Sequence, residues 1–70
     1  MKLETIRTYN RLQEALLARS YLESKRIQVV IPDENISILG PEVLGASGVR
    51  LQVPFEDAEQ AEAMLVEAGL

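Results

Sequence analysis

The chain contains no cysteine, no histidine and no tryptophan. Without cysteine there is no disulfide framework, and without cysteine or histidine the usual structural zinc sites are excluded. The same two absences remove the thiolate nucleophile and the imidazole base on which many enzymes rely. One phenylalanine and two tyrosines leave few platforms on which nucleobases can stack. Positive charge is scarce as well: 7 basic residues stand against 11 acidic ones, a net charge of −4. With a pI of about 4.6 the chain lacks the basic stripe of a nucleic-acid surface. No apolar run approaches the ~20 residues of a membrane span, and the opening MKLETIRTYN has no signal-peptide core. These absences predict a cytoplasmic protein with neither a nucleic-acid nor a membrane partner.

What is present fits one small domain, residues 1–70. A domain this size buries only roughly 60% of the surface its unfolded chain exposes. With no covalent or metal staple, it relies on close packing or on self-association. A homo-oligomer, a dimer or higher, is therefore expected.

Leu3 to Thr8, LETIRT, reads as a short strand whose alternation is spoiled, which predicts a bulge with Ile6 turned inward. Asn10 and Gln13 have the spacing of a helix capping box. The following RLQEALLARSYLESK is helix-forming, with Ala15, Ala18 and Leu22 at the centre of its apolar face. Leu12, Leu16, Leu17 and Tyr21 widen that face, either as ordinary exposed apolar surface or as a subunit contact. Ile27 to Ile31 and Val49 to Val53 alternate like strands with one buried face, and Pro32 and Pro54 close them. FEDAEQAEAMLVEAGL reads as a second helix with Ala58, Ala61, Leu65 and Ala68 inward and Gly69 at its end.

The order strand, helix, strand, loop, strand, helix predicts an α+β fold. The first two strands are joined by a right-handed crossover, and the third inserts between them. The result is a ferredoxin-like βαββα sandwich: a three-stranded sheet of order 1-3-2, both helices on one face, and the fourth strand absent. The edge beside the first strand and the other sheet face are then open.

Residues 32–48 form a long irregular connection, PDENISILGPEVLGASG. Loops of that length in small domains are functional or disordered. Its aliphatic content predicts that part of it folds over the core or lines an interface. Two ends of it stand out. Asp33, Glu34 and Asn35 form an acidic turn, suited to capping, to a partner contact or to a hard cation. Gly45, Ser47 and Gly48, with Arg50 beyond them, make either a flexible strand entry or an anion-binding nest. The nest is not a P-loop, because it lacks the Gly-Lys-Ser/Thr ending and leads into a strand. No carboxylate pair has the spacing of an acid and a base, and no serine has a base beside it in a recognisable motif. The chain is therefore expected not to be an enzyme and to need no cofactor.

The run EALLARSYLESKRI, residues 14–27, followed by IPDEN, residues 31–35, a Gly/Pro loop and VRLQVPFEDAEQA, residues 49–61, resembles a small bacterial family described as prokaryotic signal-transducing proteins. Order and spacing carry the resemblance over nearly the whole chain. One departure is Lys25-Arg26, where members often place a glycine before the isoleucine. The resemblance implies a GlnB-like, ferredoxin-like fold in which the loop after the second strand senses partners or effectors. A regulatory interaction module is the expectation that follows. The alternative is a sensor that binds a small anionic metabolite near Gly45 to Arg50.

Overall fold

Val49, Leu51 and Val53 are fully buried, while Arg50 between them is exposed and Gln52 half-buried. This is the signature of a strand with one face on the core. In the computed structural model, which describes residues 2–32 and 48–70, the elements run β1 (Leu3–Tyr9), α1 (Leu12–Ser24), β2 (Val49–Pro54), a 3₁₀ turn (Phe55–Asp57) and α2 (Ala58–Ala68). Strands β1 and β2 pair antiparallel. Ala15, Ala18 and Leu22 from α1 and Ala58, Ala61 and Leu65 from α2 join the inward residues of β2 in a single core. Both helices thus cover the same sheet face. Burial of each large aliphatic here contributes about 1.5–3 kcal/mol.

The spoiled alternation of β1 has a structural counterpart. The register shifts between Thr5 and Arg7, so Ile6 is the extra residue of a bulge. It turns into the core and is 7% exposed. The bulge interrupts the ladder, and the Arg7 guanidinium ties the bulged residue to α2. Its Nη1 donates to the Ile6 carbonyl at 3.1 Å and to Glu62 Oε1 of α2 at 3.0 Å. Beyond the strand, the Phe55 amide donates to the Lys2 carbonyl at 2.8 Å and carries the pairing one step past Pro54.

Helix α1 begins one residue later than the Asn10–Gln13 spacing predicts. Arg11 is the N-cap, with extended φ −130° and ψ 147°, and no side chain caps the first turn. Asn10 lies one position too early to reach the first-turn amides, and arginine carries no acceptor. Of the surplus apolar residues, Leu12, Leu16 and Tyr21 pack half-buried against the core, and Leu17 stays outside at 59% exposure. In α2 the first turn tightens to 3₁₀, and Ala68 at the far end is exposed.

Both helices end in the same way. The Ile27 amide donates to the Leu22 carbonyl at 3.0 Å, and the Leu70 amide donates to the Leu65 carbonyl at 2.9 Å. Such six-to-one closures need a left-handed residue just before the donor. Gly69 fills that place in α2 with φ +75°, and Arg26 fills it in α1 with φ +65°. An arginine thus holds the backbone conformation for which glycine is the usual residue.

The segment Ile27–Ile31 differs from the strand expected of it. Ile27 and Ile31 are buried, as its alternation predicts, but it meets β2 through one antiparallel bridge, Val30 with Gln52. That pair exchanges both hydrogen bonds, at 2.8 and 2.9 Å. The reason the ladder goes no further lies in the register. Continuing it by two residues in either direction sets Pro32 opposite Arg50 and Gln28 opposite Pro54. Each of those pairs has a proline where an N–H would donate, so each forfeits one of its two bonds. Among the described residues the sheet therefore has two strands, with Val30 attached to the outer edge of β2.

Candidate functional site

Of the seven residues singled out from the sequence, Asp33, Glu34, Asn35, Gly45 and Ser47 lie outside the described residues. Gly48 and Arg50 lie at the start of β2. Gly48 has φ +73°, and a Cβ built on it would stand 2.7 Å from the Tyr9 carbonyl oxygen and 2.9 Å from Thr8 Cγ2. Its glycine character follows from this close approach to the end of β1. Arg50 is exposed and sits opposite Thr8 in the register.

The sheet face turned away from the helices is built from cross-strand pairs: Leu3 with Pro54, Thr5 with Gln52, and Thr8 with Arg50. Because Gln52 spends its backbone groups on Val30, its pairing with Thr5 is of the non-hydrogen-bonded kind, in which side chains approach closely. Its amide Nε2 donates to Thr5 Oγ1 at 2.9 Å. Leu3 is 37% exposed at one end of this face. These pairs include one cation and no carboxylate, in a chain with a net charge of −4.

Acidic side chains gather elsewhere. An open cleft of about 340 Å³ is lined by Glu4, Phe55, Glu56, Ala58, Glu59 and Glu62. Glu4 reaches it because it lies opposite Val53, on the helix-covered side of the sheet. Phe55 is 56% exposed, and the Lys2 ammonium lies 5.5 Å from its ring centre. Arg7 borders the same cleft through its ion pair with Glu62. The inward turn of Ile6 carries Glu4, which shares its parity, to the side of the α2 glutamates. All four glutamates are exposed. No set of three or more acidic residues among the described residues is arranged to hold a metal ion.

Among the described residues, the group with a perturbed ionisation is Tyr9. Burial raises its pKa; Arg7 nearby lowers it, and Glu14 adds a smaller upward push. Its hydroxyl donates to the Leu70 carbonyl and serves to hold the fold together. No helix among the described residues is long and apolar enough to cross a membrane. No family model, curated protein or solved structure matches this chain.

Proposed function

We propose that this chain is a non-enzymatic regulatory module that works by protein interaction, through the 32–48 segment and the sheet face turned away from α1 and α2. The observation that carries this reading is charge segregation: the cross-strand pairs of that face hold Arg50 and no carboxylate, while Glu4, Glu56, Glu59 and Glu62 line a cleft formed with α2. A protein surface can approach these cross-strand pairs without meeting the glutamates of the cleft. A second copy, or another protein, is the partner. The bridge of Val30 to β2, opposite β1, supports the ferredoxin-like βαββα sandwich of order 1-3-2 as the underlying fold. The resemblance to prokaryotic signal-transducing proteins adds the regulatory character; fold analogy alone does not carry function. Light scattering at high micromolar concentration tests the self-association. Dimers or larger species are expected, with Thr8→Asp shifting them toward monomer; a native chain that stays monomeric would overturn homo-oligomerisation.

A second reading rests on Arg50, exposed two residues after the left-handed Gly48. In it the chain is a GlnB-like sensor that takes a small anionic metabolite near Gly45 to Arg50. A thermal-shift series with inorganic phosphate, nucleotides and phosphorylated sugars tests it. Stabilisation by at least one anion, lost in Arg50→Ala, is expected; no shift with any of them removes this reading.

A further inference from the structure

We draw no further inference here: the strongest candidate, the acidic cleft between β1 and the first turns of α2, is a cluster of glutamates with no second observation beside it that points to a ligand.

Discussion

The Tyr9 hydroxyl donates to the carbonyl oxygen of Leu70 at 2.9 Å, across 61 positions of sequence. It ties the last residue of β1 to the turn that ends α2, and both residues pack half-buried against the core. Tyr9→Phe keeps the ring and removes the bond. A loss of about 1 kcal/mol is expected, read from urea unfolding at neutral pH. A loss within error would mean that water replaces the bond at no cost.

The same phenol predicts a pH dependence. Its pKa is raised above the ordinary value of about 10, chiefly by burial. The folded chain then holds the proton more tightly than the unfolded chain does. This contribution to stability is fully present below the unfolded pKa and is lost as pH rises through the folded one. Urea midpoints followed from about pH 8 to about pH 11 should fall more steeply for the native chain than for Tyr9→Phe. Parallel curves would show that Tyr9 is not the group responsible.

The two helix ends make a matched pair of substitutions. Arg26 is exposed and left-handed, so Arg26→Gly relieves backbone strain of about 1–2 kcal/mol and gives back about 0.5–1 in unfolded-chain entropy. A net gain of about 0.5–1 kcal/mol is expected. Gly69→Ala should lose a similar amount, because a Cβ there meets nothing within 4 Å and only the backbone objects. Thermal melts of the two variants and the native chain check both signs. Destabilisation by Arg26→Gly would show that the arginine side chain contributes more than its backbone costs.

Gly48→Ala should be worse than Gly69→Ala. Both positions have positive φ, but at Gly48 the added carbon also runs into the Tyr9 carbonyl at 2.7 Å. Backbone cannot step aside as a flexible side chain can. The expected cost is about 2–4 kcal/mol, combining left-handed strain with overpacking. Equal losses at the two glycines would show that the end of β1 yields.

Proline placement sets a pattern for amide exchange. The Val30 and Gln52 amides, bonded to each other's carbonyls, should be protected well beyond the neighbouring Gln28 and Val29. Native-state hydrogen exchange by NMR reads this directly. Comparable protection at Gln28 would mean that the ladder continues past the bridge despite Pro54.

Periodicity made much of the core legible in advance. Val49, Leu51 and Val53 repeat every second residue, and Ala15, Ala18 and Leu22 follow a helical turn; in each case only one face can be buried. Ile6 was legible through an irregularity, because no unbroken strand puts it inward together with a clean partner set. The strand expected at Ile27–Ile31 was not, since its burial pattern is right and its pairing is short. What shortens it is Pro54 on the opposite strand, and that is visible only once the register is known. Arg26 was opaque for another reason: arginine in a left-handed conformation leaves no local mark, and only the six-to-one closure reveals it. Five of the seven residues chosen as a candidate site lie outside the described residues, and Gly48 has a packing role that its small-residue neighbours concealed.

The bulge in β1 bears on how this chain behaves when concentrated. Fibrillar stacking needs an uninterrupted, flat segment of roughly six or seven residues that can be copied in register. In β1 the shift between Thr5 and Arg7 breaks the strand into Leu3–Thr5 and Arg7–Tyr9, neither long enough to serve. Arg7 also leaves a charge beside the break, engaged with Glu62. The irregularity that places Ile6 in the core thereby removes β1 as a template on which a cross-β polymer would grow.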